Sequence, residues 1–263
     1  MSNILLMNDF VSTGKLSGNM MDSVLSYMGH KVYFLPTALF SNNFSKGSIA
    51  LASTSNYLSE SLGVYEKLGI DFDTIFIGYV EDNEQMELIK TYIKKIDKKP
   101  LVILDPIMGD NGYLYKGLGQ EKVNIYKSLL SLSDIIIPNL TEAKFLGLRD
   151  YEKLKGDDKK YLISGLEDEN GYYNLAIDKE INKIYTNRVD GQFKGTGDLL
   201  DALFLSFYLE RKDMALASKK ASQTISDILK KAKSDEEMDG FIIIEKYLTM
   251  IKGANHASWF SLL

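Results

Sequence analysis

Gly195-Thr196-Gly197-Asp198 leads without a break into an apolar run at residues 199–209, and the rest of the chain can be arranged around this stretch. Loop glycines let backbone N–H groups converge on one point, where an anion can bind. The run that follows is apolar on nearly every face, which predicts a buried helix whose positive dipole end lies at the glycines. A phosphate group would be stabilised there.

Asp198 has two interpretations on the sequence alone. Asp is a favoured residue at the N-cap of a helix, so the tetrapeptide can be a simple helix start. A carboxylate at a phosphate site also has a chemical use, because in phosphoryl transfer it can accept the proton of the attacking hydroxyl while backbone amides hold the phosphoryl group. The sequence therefore predicts either a cap or a catalytic base at this position.

Short apolar runs alternate with helical patterns through the first half of the chain. This alternation predicts a mostly parallel sheet with helices on both faces. Later, three β-like runs follow one another with no helix between them, which predicts an antiparallel edge. We predict strands at residues 4–7, 31–35, 74–80, 101–104, 134–137, 161–164, 172–177 and 183–188, the second closed by Pro36, and helices at 19–28, 53–68, 83–96, 121–132, 214–233 and 241–252. The expected fold class is α/β, with residues 1–263 forming a single domain.

The composition excludes several classes of function. Of 263 residues, 45% are hydrophobic and 25% are charged, as expected for a soluble globular protein. The 31 Lys and Arg residues are interspersed among 36 Asp and Glu residues, so nothing resembles a nucleic-acid-binding surface. The lack of cysteine excludes disulfides and thiolate metal sites, and the two histidines, His30 and His256, lie in no recognisable motif. Any metal is therefore expected to be a hard cation, Mg²⁺ first, on carboxylates and waters.

The N-terminal segment, residues 1–10, resembles no signal sequence. It has no basic region, and Asp9 interrupts its apolar run early. Elsewhere, no segment approaches the length of a membrane span. We therefore expect a cytoplasmic protein with no membrane partner.

Polar residues follow the predicted parallel strands at the ends where ligands bind in open α/β sheets. They are Asn8, Asp9, Gly78, Tyr79, Asp105, Asn139 and Glu142. Several are carboxylates, and an acid at the end of an apolar strand is costly to bury without a partner. A candidate binding site is therefore expected at this edge of the sheet.

Two of these segments allow both a structural and a functional interpretation. In the loop after residue 104, Asn111-Gly112 is a favourable turn pair, so Asp110 can start a turn and Asp105 can end a strand, or both can face a cation. Asn139 precedes Glu142 by three residues, which is the spacing of a capping box. The same Glu could instead hold a water molecule on Mg²⁺.

These segments together resemble a known family. Asp105-Pro106-Ile107-Met108-Gly109-Asp110-Asn111-Gly112-Tyr113-Leu114-Tyr115 is similar to the D-P-V-M-G-D-N-G-x-L-Y signature of pyridoxal/pyridoxamine kinases in the ribokinase superfamily. Residues 35–43 resemble that family's L-P-T-x-x-x-S-N-H segment, and Asn8-Asp9 resembles the N-D pair after its first strand. The resemblance implies a ribokinase-like three-layer α/β/α fold with a mostly parallel central sheet and an antiparallel edge. It also implies ATP-dependent phosphorylation of the 5′-hydroxymethyl group of pyridoxal, pyridoxine or pyridoxamine.

The resemblance also implies roles for the residues that transfer the phosphoryl group. Asp198 would be the base, and the amides of Gly195, Thr196 and Gly197 would form an anion hole. Mg²⁺ would lie among Asp105, Asp110 and Glu142, with K⁺ as a candidate second cation, while Asn139, Ser164 and Asp110 would lie along ATP. The loop at residues 109–119 would close over the site.

On the substrate side, Asp9 would face the polar edge of the pyridine ring and Tyr79 would pack against the ring. Asn43 and Phe44 stand where the family usually has His and Thr, so the acceptor pocket departs from the family pattern. Alternatives are a hydroxymethylpyrimidine kinase, which usually has Cys at the position of Asp198, and a relative that binds vitamin or nucleotide without turnover. Dimerisation with a second copy is implied by the resemblance only.

Overall fold

The computed structural model describes residues 1–43, 48–235 and 240–251. Within these ranges, nine strands form a single sheet in the order β11-β10-β9-β8-β5-β4-β1-β2-β3. Strands β2, β1, β4, β5, β8 and β9 are parallel; β3 pairs antiparallel with β2 at one edge, and β10 pairs antiparallel with both β9 and β11 at the other. Their bounds are β1 Asn3–Val11, β2 Lys31–Phe40, β3 Leu51–Ser53, β4 Thr74–Ile77, β5 Leu101–Leu104, β8 Ile135–Ile136, β9 Lys160–Asp168, β10 Gly171–Ile177 and β11 Ile181–Tyr185. A separate hairpin pairs β6 Gly109–Asp110 with β7 Tyr113–Leu114.

Helices cover both faces of this sheet, as the alternation of patterns predicts. Successive residues of a strand point to opposite faces, and β1 follows this rule: Ile4 and Leu6 join one apolar core, while Leu5 and Met7 join the other. The first core packs against α1, α7 and α8, and the second against α2, α3 and α4. The bounds are α1 Gly18–Tyr27, α2 Ser55–Lys67, α3 Asn83–Lys95, α4 Gln120–Leu129, α5 Leu140–Leu146, α6 Tyr151–Lys155, α7 Thr196–Arg211 and α8 Met214–Ser234.

The predicted end of the second strand at Pro36 is wrong. Strand β2 continues to Phe40, with Pro36 paired opposite Asn8 of β1. The register between these strands shifts between Asn8 and Phe10, just past the proline. Proline lacks only the N–H donor, so a strand can pass through it where the ladder is already irregular.

Other boundaries moved where pairing with a distant strand decides them. Strand β9 runs on to Asp168 because its second half pairs with β10, whereas the fifth predicted strand shrinks to Ile135–Ile136. The helix predicted at residues 241–252 contains a short 3-10 helix at Ile244–Lys246, and its last residue lies outside the described ranges. The single-domain organisation stays a prediction. None of the helices in the described ranges has the length and apolarity that crossing a membrane requires.

Candidate active site

The glycine-rich tetrapeptide forms the start of α7, at the edge of the sheet where the parallel strands end. Gly195 adopts the left-handed backbone conformation with φ 83° and is the N-cap residue, so the helix begins at Thr196. Gly197 borders open space, which leaves room for a ligand next to its backbone. The N–H groups of Thr196 and Gly197 have no partner within the helix and could bind an anion, but the anion hole stays a prediction.

Asp198 lies in the first turn of α7 and does not cap it. The interpretation of Asp198 as a cap is therefore wrong, because Gly195 occupies that position and no side chain caps the helix. Burial raises the pKa of the Asp198 carboxyl above its ordinary value, and a hydrogen bond from the Ser17 backbone acts in the opposite direction. The Asp198 carboxyl is thus buried at the N-terminal end of α7, and its role as a base stays a prediction.

Asn8 fixes Asp9 and Tyr79, the two residues that are predicted to face the substrate ring. Its side chain is fully buried, and its Oδ1 accepts hydrogen bonds from the backbone N–H groups of Asp9 and Tyr79, each at 2.9 Å. A Cβ on Gly78 would collide with this amide, which explains why glycine precedes Tyr79. Asp9 and Tyr79 are therefore brought together by one buried amide, although β1 and β4 are far apart in sequence.

Asp9 also lies close to Asp198. Burial is the main cause that raises the pKa of Asp9 to about 7, and the charge of Asp198 adds to it. The Ser17 side chain donates a hydrogen bond to Asp9 and thereby lowers this pKa. Ser17 itself has φ 50°, an uncommon conformation for a residue other than glycine, and it contacts both carboxylates. The sequence analysis missed Ser17, since its backbone conformation has no signal in the sequence.

Asp105 has a partner that the sequence analysis also missed. Asp201, one turn after Asp198 on α7, is 3% exposed and forms a hydrogen bond with Asp105. Burial raises the pKa of Asp105 to about 7, and it raises that of Asp201 well above the ordinary value, with the charge of Asp105 next in importance. The bond lowers the pKa of Asp105 and raises that of Asp201, so Asp201 is the proton donor. The signal in the sequence that could have identified Asp201 is its carboxyl group within a run of mostly apolar residues.

The capping box predicted at Asn139 and Glu142 is confirmed. The Oδ1 atom of Asn139 accepts from the N–H groups of Thr141 and Glu142, and Glu142 Oε2 accepts from the N–H of Asn139 at 2.9 Å. Glu142 Oε1 also accepts from the N–H of Met108 at 3.1 Å. Burial raises the pKa of Glu142, and the charge of Asp105 contributes. Glu142 is thus buried next to Asp105 while it caps α5.

The same capping residues hold the β6–β7 hairpin against α5. Asn139 Nδ2 donates to the carbonyl oxygen of Gly109 at 2.8 Å, and Thr141 Oγ1 accepts from the N–H of Gly112 at 2.8 Å. The predicted turn at Asn111-Gly112 is confirmed, with φ of 52° and 87°. Asp110 is exposed on this hairpin, and its carboxylate accepts from Asn111. Its assignments to metal and ATP stay predictions.

The remaining predicted residues lie around this edge. Ser164 of β9 bridges to Asn139, with its N–H donating to the carbonyl oxygen of Pro138 at 3.0 Å. Asn43 is buried in the segment between β2 and β3, and Phe44 lies outside the described residues. Tyr115, which the sequence analysis did not single out, has its pKa raised by burial and by the charges of Glu142 and Asp110. The Tyr115 hydroxyl is therefore close to the carboxylates of Glu142 and Asp110.

The buried acids at this edge of the sheet fit a magnesium ion only when the ion is also bound to a nucleotide. Among the described residues, no group of three or more Asp, Glu or His side chains could hold a metal ion by itself. Asp105 nevertheless has a raised pKa that a nearby cation would lower. Mg²⁺ commonly binds one or two carboxylates and completes its shell with waters and substrate phosphates. The residues fit an ion that arrives with a nucleotide.

Comparison with known proteins agrees with this geometry. A sequence model of the phosphomethylpyrimidine kinase family matches residues 37–240, more than three quarters of the chain. The chain belongs to this family. The phosphomethylpyrimidine kinase match includes the helix start at Gly195, both buried acids of the Asp105 pair and the capping box. The prediction that the chain is a kinase is confirmed.

Several individual proteins that are similar to this chain are named as pyridoxal kinases. Pyridoxal kinase PdxY of Histophilus somni (strain 2336) is 25% identical over 255 residues, covering 87% of this chain and 88% of that protein. The crystal structure of pyridoxal kinase from Lactobacillus plantarum superposes with a TM-score of 0.87 at 24% identity, over 97% of this chain and 98% of that one. Pyridoxal kinase from Leishmania donovani, in complex with ADP and pyridoxamine, gives 0.76 at 19% over 96% of each chain. The predicted ribokinase-like fold is confirmed.

Proposed function

We propose that this kinase transfers the γ-phosphoryl group of ATP to the 5′-hydroxymethyl group of pyridoxal, pyridoxine or pyridoxamine. The observation that carries the proposal is the placement of Asp198 in the first turn of α7, with the Asp9 carboxylate close to it. One acid lies where a phosphoryl group would bind, and the other lies beside Tyr79, where an aromatic ring could pack. The pyridoxal kinase relatives support the choice of acceptor.

The transfer uses Asp198 as the proton acceptor. The acceptor hydroxyl oxygen attacks the γ-phosphorus, the bond from this phosphorus to the bridging oxygen of ADP breaks, and the hydroxyl proton passes to the Asp198 carboxylate. The raised pKa of Asp198 makes it a stronger base than an exposed Asp. The amides of Gly195, Thr196 and Gly197 would bind the charge that develops on the phosphoryl oxygens.

We assign nucleotide binding to the side of the site that contains Asp105, Asp201 and Glu142. Asp105 would hold Mg²⁺ together with the ATP phosphates, with Asp201 and Glu142 nearby, Asp110 at the exposed hairpin and K⁺ as a candidate second cation. When bound, Mg²⁺ neutralises phosphate charge. Asn139 and Ser164 would lie along the nucleotide. Because ATP is the phosphoryl donor, we place the reaction in the cytoplasm.

On the acceptor side, Asp9 and Tyr79 would contact the ring, and Asn43, in the segment between β2 and β3, would border the pocket. Hydroxymethylpyrimidine is the second candidate acceptor, since the matching family is described as phosphomethylpyrimidine kinase. It also carries a hydroxymethyl group on a heteroaromatic ring.

A homodimer is part of the proposal. Apolar side chains exposed on β2, β3 and α2, namely Leu39, Leu51 and Tyr57, would be covered by a second copy.

Asp198→Asn tests the proposal directly. With ATP and Mg²⁺, we expect the wild-type chain to convert pyridoxal, pyridoxine or pyridoxamine, the three vitamers of vitamin B6, to a product that is heavier by one phosphoryl group. The variant should be slower by roughly 10²- to 10⁴-fold, because the proton acceptor is lost. The measurement is ADP release together with product mass for each of the three vitamers and for hydroxymethylpyrimidine.

Glu210→Gln is the matched control, since it makes the same chemical change at an exposed position near the other end of α7. It should retain wild-type rates. Phosphorylation of hydroxymethylpyrimidine alone would favour the second candidate. Vitamer binding without a phosphorylated product from any acceptor would contradict the kinase proposal and favour a binding protein.

A further inference from the structure

Lys122 is a buried lysine that the proposed reaction does not use. It lies in the first turn of α4, where the helix dipole disfavours a positive charge, and its residue is 5% exposed. Its Nζ atom donates hydrogen bonds to the carbonyl oxygens of Val80 and Glu81, the latter at 2.7 Å. Burial lowers the pKa of Lys122 to about 8, so the amine is still largely protonated at neutral pH. The charges of Glu81, Asp82 and Glu121 favour the protonated form of Lys122, so a positive charge is kept at this buried position.

The ammonium group of Lys122 lies against the ring of Tyr79, at 4.3 Å from the ring centroid. A cation at this distance over an aromatic face is attracted by the ring quadrupole, and the attraction is larger when water is excluded. Phe40 meets the same ring edge-to-face, with centroids 5.5 Å apart. Between them, a cation and an aromatic side chain restrict how this ring can turn.

The backbone of Tyr79 is fixed independently of Lys122. Its N–H donates to Asn8, and its carbonyl oxygen accepts from Thr37 Oγ1 at 2.6 Å. The freedom that is left to Tyr79 is therefore the orientation of its side chain. This is the part of the residue that would meet the acceptor ring.

Anchoring of α4 to the same turn does not require a lysine. Tyr126, one helical turn after Lys122, is fully buried, and its hydroxyl accepts from the N–H of Val80 at 3.2 Å. The same hydroxyl lies 3.2 Å from the carbonyl oxygen of Gly78 and 3.1 Å from that of Ile107. Tyr126 thus ties α4 to the turn after β4 without a buried charge, and without an ammonium group over the ring of Tyr79.

We propose that Lys122 is a positioning residue for the acceptor: its ammonium group holds the Tyr79 ring in the orientation that packs against the heteroaromatic substrate. Lys122 contacts neither substrate in this arrangement and acts through Tyr79. The inference rests on the proposed function, because it assumes that Tyr79 faces the acceptor.

Lys122→Met and Lys122→Gln test the role of the charge. Met keeps the length of the side chain, and Gln also keeps an N–H donor for the two carbonyl oxygens, but both remove the cation. We expect both variants to raise KM for the vitamer by roughly three- to thirty-fold, which is the range for loss of a desolvated cation–π contact, and to leave kcat and KM for ATP within about twofold. Lys122→Arg, which restores a cation, should recover most of the acceptor affinity.

A double-mutant cycle with Tyr79→Leu shows whether Lys122 acts through the ring. In the Tyr79→Leu background, removal of the charge should change KM for the vitamer by less than about twofold, because the coupled partner is already absent. Tyr126→Phe is the control on α4, and it should lower the unfolding temperature without a selective rise in KM for the vitamer. Thermal unfolding of every variant identifies any that fail to fold, and pyridoxal binding without ATP supplies an affinity that does not depend on turnover.

Three results would overturn the role of Lys122. They are an equal rise in KM for the vitamer and for ATP, full additivity in the double-mutant cycle, and a loss of stability with unchanged affinity for pyridoxal. The wild-type assay separates this from failure of the proposed function. If the wild-type chain phosphorylates no vitamer, the assignment of the reaction fails. If it does so and the variants match it, only the inference about Lys122 fails.

Discussion

The pair formed by Asp105 and Asp201 shows how one hydrogen bond can set the charge of a candidate metal ligand. Two buried carboxylates side by side cannot both ionise cheaply, so one keeps its proton and donates it to the other. The pKa of each carboxyl is raised by burial, but the hydrogen bond itself lowers the pKa of Asp105 and raises that of Asp201, so we assign Asp201 as the donor. Asp105 is therefore the member of the pair whose charged form the bond favours, as the Mg²⁺ ligand role proposed for it requires.

Substitutions of Asp201 should distinguish its donor role from its acidity. Asp201→Asn keeps an N–H donor toward Asp105, and we expect activity within a few-fold of wild type. Asp201→Ala leaves Asp105 without this partner and should raise the Mg²⁺ concentration for half-maximal activity by roughly tenfold or more, as is typical for loss of a residue that orients a ligand. A Mg²⁺ titration of initial rates measures both effects.

Ser206→Ala provides the comparison, because Ser206 is a buried polar residue of the same helix that bonds to His30 instead of the site. It should leave the Mg²⁺ requirement unchanged. An Asp201→Ala enzyme with a wild-type Mg²⁺ requirement would show that Asp105 needs no orienting partner.

At the scale of elements, the cap of α5 has a second task. Most helix caps satisfy only their own helix, but the capping residues Asn139 and Thr141 also bond to Gly109 and Gly112 of the β6–β7 hairpin. Glu142 adds a bond to Met108, just before the hairpin. The start of α5 therefore holds the loop that follows Asp105 and positions it over the sheet edge.

Asn139→Ala should consequently affect both stability and catalysis. Loss of a cap costs about 1 kcal/mol, which lowers Tm by roughly 2–4 °C for a chain of this size. Because the hairpin loses its bond at Gly109, we also expect kcat/KM for ATP to fall by at least about tenfold through misplacement of the loop. Thermal unfolding and steady-state kinetics measure the two effects separately.

Asp150→Ala is the paired control, since Asp150 caps α6 through the N–H of Lys153 at 3.1 Å and contacts no part of the candidate site in the described residues. It should cost a similar amount of stability with normal kinetics. If both variants have normal kinetics, the hairpin does not depend on the cap.

Elements whose signals are local could be predicted from the sequence. The glycine loop before an apolar helix, the capping box and the Asn111-Gly112 turn each depend on a few adjacent residues, and each is found in the structure. The contacts of Asp201 with Asp105 and of Lys122 with Tyr79 join distant parts of the chain, so no spacing in the sequence announces them. The extension of β2 past Pro36 likewise depends on a register shift in β1, its neighbour.

For the whole molecule, the placement of charge matters more than its total. The net charge is only -5 at pH 7, with acids and bases interspersed along the sequence. Folding nevertheless brings Asp9, Asp105, Glu142, Asp198 and Asp201 to one edge of the sheet, and burial raises the pKa of each. In the free protein these acids oppose folding once they ionise, which is a cost that a bound nucleotide–cation complex would offset.

The free protein should therefore lose stability as the pH rises through neutrality. Asp9 and Asp105 have a pKa of about 7 when folded, compared with 3.8 as the ordinary value, so the folded chain binds their protons more tightly. Stability from such groups is complete below the unfolded pKa and is lost as the pH rises through the folded pKa. From about pH 6 to about pH 8, ionisation of each group should cost on the order of 1 kcal/mol, and together they should lower Tm by roughly 4–8 °C. Thermal unfolding across this range measures the effect.

An Asp9→Asn, Asp105→Asn double variant gives the decisive comparison, because its neutral amides cannot ionise. Its Tm should fall less than the wild-type Tm over the same pH range, because only Asp198, Glu142 and Asp201 among the buried acids of this sheet edge can still ionise there, and it should be the more stable protein at about pH 8. Mg²⁺ with ATP should raise the Tm of the wild-type chain at about pH 8, since ligands that bind only the folded state stabilise it, and should do so less in the double variant, which lacks the Asp105 carboxylate. A double variant with the wild-type pH slope would place the cost of ionisation elsewhere in the molecule, and the two acids would then be partnered in ways that already favour their charged forms.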